Sequence, residues 1–339
     1  MSKSDRASSN YKKGGRTGEK REKKKFMALR DHLVPTMYPG AAYIDTHCHL
    51  DTTLAMLKQK GSSDEDVKNE VDLANMLFTS ELRAVVDVFC DIPVSDAWKD
   101  LGSQTRWISG EGRQWGGEYY FTMGCHPHSA RLYGPDVEAQ MMQAWSHPRC
   151  VAVGECGLDY KKNQSTQKEQ EEVFIRQIEI ASKVFNKTLV VHTREAEADT
   201  LRILKTHLPR NHRLHVHCFT DSAEMGLEIL EHFPNAVIGI TGVITFASLL
   251  TTTGLIRSGG LRVLDRLVLE TDAPFMVPNS LMKNANRAKM GIYAVSHSGM
   301  IPATAEKIVE CLREGGEDGV TVEDVLRITT ENARRVYGL

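Results

Sequence analysis

From residue 41 onward the chain alternates between short β-branched runs and longer amphipathic stretches. Eight runs read as strands: 41–50, 82–90, 119–126, 150–157, 188–193, 214–219, 236–242 and 267–272. Each is nearly continuous in apolar residues, the pattern of a parallel strand buried on both faces. Helical periodicity is clearest over 165–185, 196–207 and 221–232, and two further helices are predicted at 304–312 and 322–337. Eight strand–helix units in series close most simply as an α/β (β/α)8 TIM barrel with extra C-terminal helices. No internal repeat is visible. The irregular stretches 61–64, 101–117 and 279–300 read as surface loops, the last long for a compact domain.

Composition narrows the picture. Of 339 residues, 25% are charged and 41% belong to the apolar set, which excludes disorder across most of the chain. No apolar run approaches the ~18–20 residues of a membrane span, and the N-terminus is too charged for a secretory signal. Seven scattered cysteines with no CxxC pair argue against a disulfide framework or a zinc ribbon. These features predict a soluble cytoplasmic and/or nuclear protein, expected as a monomer. The net charge of −2 hides an asymmetry: residues 1–30 carry eleven Lys or Arg against three acidic residues, whereas the remaining 309 carry 31 basic and 41 acidic. Nearly devoid of large apolar side chains, the first 25 residues read as a disordered basic tail, either solubilising or in contact with nucleic acid. The domain division is therefore a tail and lead-in over 1–40 and a barrel over 41–339.

Polarity supports the barrel. Chemistry belongs at the carboxyl ends of barrel strands. Those ends carry His47 and His49, Asp87 and Asp91, His126 and His128, Glu155, His192, His217 and Asp272, including six of the thirteen histidines. In Asp45-Thr-His-Cys-His49, alternation turns both imidazoles to one face, where they can chelate a divalent cation. Glu155 ends an apolar run and can bridge two cations through its two oxygens; unpaired, it would be costly to bury. His192, His217 and Asp272 end three more apolar strands. Four histidines and two carboxylates from five strands thus converge on one mouth.

The ordered motifs Asp45-Thr-His-Cys-His-Leu-Asp51, Gly124-Cys-His-Pro-His128, Gly154-Glu-Cys-Gly-Leu-Asp-Tyr160, His192-Thr-Arg-Glu-Ala196, His217-Cys-Phe-Thr220, Glu270-Thr-Asp-Ala-Pro-Phe275 and Glu331-Asn-Ala-Arg-Arg-Val-Tyr-Gly338 resemble those of TatD-type metal-dependent deoxyribonucleases of the amidohydrolase-like barrel superfamily. The resemblance runs from about Ala41 to Leu339. It implies a two-metal hydrolase acting on DNA, as a 3′→5′ exonuclease on single-stranded ends. It further implies one Mg²⁺, Mn²⁺ or Zn²⁺ ion on His47, His49, Glu155 and Asp272, and a second on Glu155, His192 and His217. His126 and Arg194 match positions that contact the scissile phosphate. The chain departs from the pattern at Ser296-His297-Ser298, where the family carries Asn-x-Pro.

In this reading the cations activate water, Arg194 offers a donor fork to the phosphorane, Asp272 doubles as a base, and His126 donates to the transition state. Tyr160, Phe219, Phe246 and Phe275 follow strand ends, where some can stack bases. Cys48, Cys125, Cys156 and Cys218 are expected to turn away from the cavity. Asp45 and Glu270, two residues before ligands, are expected to share their face and orient histidines. The competing readings are a binuclear amidohydrolase or lactonase acting on a small substrate, and a non-catalytic nucleic-acid-binding module.

Overall fold

Alternation along the strands sorts their side chains into two cores. Leu189, Val191, Leu214, Val216, Leu267 and Leu269 pack outward against the helices, whereas Val190, Val237 and Val268 fill the barrel interior. The computed structural model describes residues 37–59, 67–103, 115–162, 164–247, 250–282 and 295–339. The basic stretch 1–30 and most of the three expected loops lie outside the described residues. Eight parallel strands run β1 (Tyr43–Cys48), β2 (Leu82–Phe89), β3 (Glu118–Met123), β4 (Cys150–Asp159), β5 (Thr188–Arg194), β6 (Leu214–Val216), β7 (Ala236–Ile240) and β8 (Leu267–Leu269), paired in sequence order. The ring closes beyond β8 through a parallel bridge between Cys48 and Ala273. Across that seam Asp272 N donates to His47 O at 2.9 Å and His49 N to Ala273 O at 2.8 Å.

Helices cover the outside. Gln167–Glu179 begins with a capping box, the Thr166 hydroxyl receiving the Glu169 amide and the Glu169 carboxylate receiving the Thr166 amide. Its last turn, Ile180–Phe185, widens to π geometry and ends on left-handed Asn186. The C-terminal helix, Val322–Tyr337, is bounded by a Thr321–Asp324 capping box and left-handed Gly338. It plugs the amino-terminal end of the barrel, where Ala333, Val336 and Tyr337 join the interior cluster. Asn332 Nδ2 donates to Leu264 O and Leu267 O at 3.1 and 2.8 Å, and Thr330 Oγ1 to Ala42 O. Among the described residues no helix is long and apolar enough to cross a membrane.

Two strands break the alternation. On β5, β6 and β8 the interior residue and the polar one above it are two apart: Val190 and His192, His215 and His217, Val268 and Glu270. On β1 and β4 they are three apart, Ile44 and His47, Ala152 and Glu155, and each strand carries a register shift in between. Such shifts re-aim a side chain beside a site. At Gly154 the backbone has φ +132°, and a Cβ there would lie 2.3 Å from Val190 O, so only glycine fits the bend that turns Glu155 inward. The β1 shift corrects one expectation. Ile44 rather than Asp45 faces the interior, and the Asp45 carboxylate accepts the amides of His47 and Thr271 and the Thr271 hydroxyl. Asp45 therefore braces the backbone of the seam and not an imidazole.

Candidate active site

At the carboxyl end of the barrel an open cavity of about 350 Å³ is lined by His49, His126, His128, Glu155, His192, Arg194, His217 and Asp272, with Cys90, Asp91, Asp159, Lys162, Phe275 and Met276. His47 lies beneath it, fully buried. The structure thus gathers all six residues expected to hold metal, together with His126 and Arg194.

Glu155 stands at the centre. Its Oε2 lies 3.3 Å from His47 Nε2 and 3.9 Å from His49 Nε2, while Asp272 Oδ1 lies 3.9 and 3.5 Å from the same two nitrogens. Its Oε1 lies 2.8 Å from His192 Nδ1, 3.2 Å from His217 Nε2 and 3.5 Å from His126 Nε2. One carboxylate therefore serves two groups, one oxygen each. Ligands ~2.0–2.2 Å from a tetrahedral ion are separated by about 3.4 Å, and the first group falls close to that spacing. Both ring nitrogens of His47 are buried without a hydrogen-bond partner, a costly arrangement that a bound cation at Nε2 relieves. The imidazole and carboxylate donor set suits a divalent cation.

Electrostatics follow from this crowding. Burial, then the His217 ring stacked on it at 3.7 Å between centroids, pushes His47 down to about 4. For His49 burial acts downward too, but the Asp272 carboxylate lifts it to about 9. Burial pushes Glu155 upward, yet His217 holds it well below the usual carboxylate range.

Apart from His47, the second nitrogen of each ring faces a different group. His49 Nδ1 lies 3.1 Å from Val88 O, so it donates there, and Nε2 is the nitrogen that a cation in the cavity would meet, displacing the proton that Asp272 favours. His192 Nε2 faces Asp159 Oδ2 at 3.5 Å and His217 Nδ1 faces Glu270 Oε1 at 3.4 Å. His126 is reversed: its Nδ1 accepts the His128 amide at 3.1 Å, placing the proton on Nε2 toward the cavity. Burial keeps His126 well below its ordinary value, hence neutral. Arg194, at the end of β5, is exposed at the rim and has no ion-pair partner among the described residues.

Several expectations are corrected. Phe219, a predicted stacking residue, is 1% exposed. Left-handed Cys218, φ 44°, turns the chain so that the Phe219 ring enters the outer core near Gly226 and Leu255. Tyr160 does not line the cavity; its hydroxyl donates to Asp199 at 3.1 Å, and its ring packs on the outer core. Phe275, by contrast, is 45% exposed and lines the mouth. Asp87 faces the helices and accepts the Leu50 amide and the Tyr119 hydroxyl. Cys48, Cys125 and Cys156 lie in the outer core as expected, but Cys218 groups with His217 and Asp272.

Two residues were missed from sequence. Asp159 accepts from His128 Nε2 at 2.7 Å, faces His192, and receives the Lys161 and Lys162 amides that end β4. Its spacing of four from Glu155 on one strand was the available signal. Cys90 Sγ lies 3.7 Å from Glu155 Oε2, and nothing in the sequence marked it. Ser296-His297-Ser298 is buried behind the mouth, with Ser296 N on Pro274 O.

A family model described as "TatD related DNase" matches residues 44–338. A human protein named "3′-5′ RNA nuclease TATDN2" is 33% identical over 91% of this chain, which spans only 36% of that protein. A Musicola paradisiaca protein named "3′-5′ ssDNA/RNA exonuclease TatD" is 30% identical over 66% of this chain and 78% of its own length. The crystal structure of the Escherichia coli TatD homologue YJJV superposes with a TM-score of 0.62 at 21% identity, covering 88% of this chain and 99% of that one. That likeness concerns the fold.

Proposed function

Since the chain belongs to the TatD-related DNase family, we propose that it is a metal-dependent nuclease that shortens single-stranded nucleic acid, foremost DNA, from the 3′ end. One observation carries the reading: the two oxygens of Glu155 face two separate donor groups across one open mouth. Two divalent ions, Mg²⁺, Mn²⁺ or Zn²⁺, would occupy them, one held by His47, His49, Glu155 and Asp272, the other by Glu155, His192 and His217. Bound there, such ions supply Lewis-acid polarisation of a phosphoryl oxygen and acidify water. The names of the human and Musicola paradisiaca relatives support a nucleic-acid substrate and 3′→5′ polarity.

The chain's own residues supply the rest. Arg194, without an ion-pair partner among the described residues, presents a planar fork to the phosphate and stabilises the charge that builds on it. His126 holds a proton at Nε2 and donates a hydrogen bond from it to the phosphoryl oxygen or the leaving oxygen. Asp272, besides holding an ion, would take the proton of the attacking water. Phe275, exposed beside the cavity, offers a face for the terminal base.

The test is cleavage of 5′-labelled single-stranded DNA and RNA with each of the three metals, alongside an EDTA control and Asp272→Ala. The expected result is a ladder shortened from the 3′ end, absent with EDTA and in the variant. Folded protein that holds two ions and cleaves neither polymer would point instead to an amidohydrolase or lactonase of the same build.

A further inference from the structure

Below the mouth, in a layer made mostly of valine, alanine and isoleucine, the barrel interior buries a histidine and a tyrosine that take no part in the chemistry above. His215 on β6 and Tyr337 at the end of the C-terminal helix are both buried, and His215 Nδ1 lies 2.6 Å from the Tyr337 hydroxyl. His215 Nε2 lies 3.1 Å from Glu270 Oε2, and Glu270 Oε1 lies 3.4 Å from His217 Nδ1. His217 Nε2 then faces Glu155 at 3.2 Å. Glycine stands on the strand between: a Cβ at Gly239 would come within 2.5 Å of both Glu270 Oε1 and His215 Nε2. Strand β7 thus gives up its side chain where this polar column passes. Polar groups in an apolar layer are costly, and valine would fill the space more cheaply.

We propose that Tyr337 and His215 are positioning residues that, through Glu270, hold the His217 imidazole with its proton on Nδ1 and its Nε2 lone pair toward the metal centre. The proton order is self-consistent. The Tyr337 hydroxyl donates to His215 Nδ1; the nearest alternative acceptor, Thr46 O, is farther at 3.5 Å. His215 therefore carries its own proton on Nε2, the nitrogen that faces Glu270 Oε2 at 3.1 Å, while Oε1, which accepts the Cys218 amide, also faces His217 Nδ1 at 3.4 Å. The last turn of the chain is in this way connected to a ligand at the opposite end of the barrel. The inference rests on the reading above, in which His217 holds an ion.

Tyr337→Phe removes one oxygen and leaves the packing; His215→Gln is the harsher companion. Metal-free protein is titrated with Zn²⁺ against a chromophoric chelator, and the His217 Nδ1–H resonance is followed in ¹⁵N-labelled, zinc-loaded protein. The expected result for Tyr337→Phe is about tenfold or more weaker binding of one ion, the other unchanged, and a broadened or lost Nδ1–H signal. Excess Zn²⁺ restores uptake. A column that merely stabilises the fold would lower the melting temperature of metal-free protein and leave affinity and resonance alone. If wild type takes up two ions and Tyr337→Phe matches it in both readouts, the inference is overturned by itself. If wild type takes up no second ion, the metal reading falls, and the inference with it.

Discussion

His49 and His126 share one rim and both aim Nε2 at the cavity, yet the groups behind them are opposite in kind. A carbonyl behind His49 draws the ring proton back and frees Nε2 to ligate; an amide behind His126 pushes the proton forward and makes Nε2 a donor. Replacing each by alanine should separate the roles. His49→Ala should lose bound metal, measured as the metal-to-protein ratio after gel filtration, and activity with it. His126→Ala should keep both ions and lose about a hundredfold or more in kcat; loss of metal from this variant would make His126 a ligand. Glu155 feeds both donor groups, so Glu155→Ala should abolish hydrolysis and strip both ions with the fold intact by circular dichroism. A stable and fully active variant would end the bridging role.

At the scale of elements, the final helix holds the barrel floor through Asn332, whose amide satisfies two buried carbonyls at the entry to β8. Asn332→Ala leaves both unpaired and should cost about 1–3 kcal/mol in denaturant unfolding, while activity at low temperature persists. That helix was legible to its ends, 322–337, because Thr321, Asp324 and Gly338 mark its boundaries in the sequence. Strand order was legible as well, since eight apolar runs alternate with helical patterns. What alternation could not supply was the facing of residues beyond a register shift. A one-residue slip reverses every later side chain, and no residue type announces one. The inward aim of His47 was nonetheless anticipated, from its alternation with His49, and that of Glu155 from its chemistry. Asp45, argued from parity alone, was misplaced. Phe219 was misplaced for a related reason: left-handed backbone at Cys218 redirects the chain just past β6, and only glycine, asparagine or aspartate would have hinted at it.

For the molecule as a whole, ions that bind only the closed barrel must stabilise it by mass action, about 2.7 kcal/mol per site at a hundredfold excess over Kd. EDTA should therefore lower the melting temperature by several degrees, and Zn²⁺ or Mn²⁺ should restore it. An unchanged transition would deny the folded state any preferential metal binding. Outside residues 1–30 the chain carries ten more acidic than basic residues, a poor surface for a polyanion, so the eleven basic residues of that segment are the natural source of non-specific affinity. Its deletion should flatten the dependence of binding on salt, and an unchanged slope would leave it a linker. The seam between β1 and β8 bears on timing. Two ligands of the proposed first metal group come from the first strand, and a third, Asp272, follows the last, joined across the closure by backbone contacts and by Asp45 on Thr271. A chain that has not yet made β8 carries His47, His49 and Glu155 but lacks Asp272. On the proposed reading, hydrolytic competence arrives only with the closing of the ring, and a copy that stops short of β8 is without its fourth ligand.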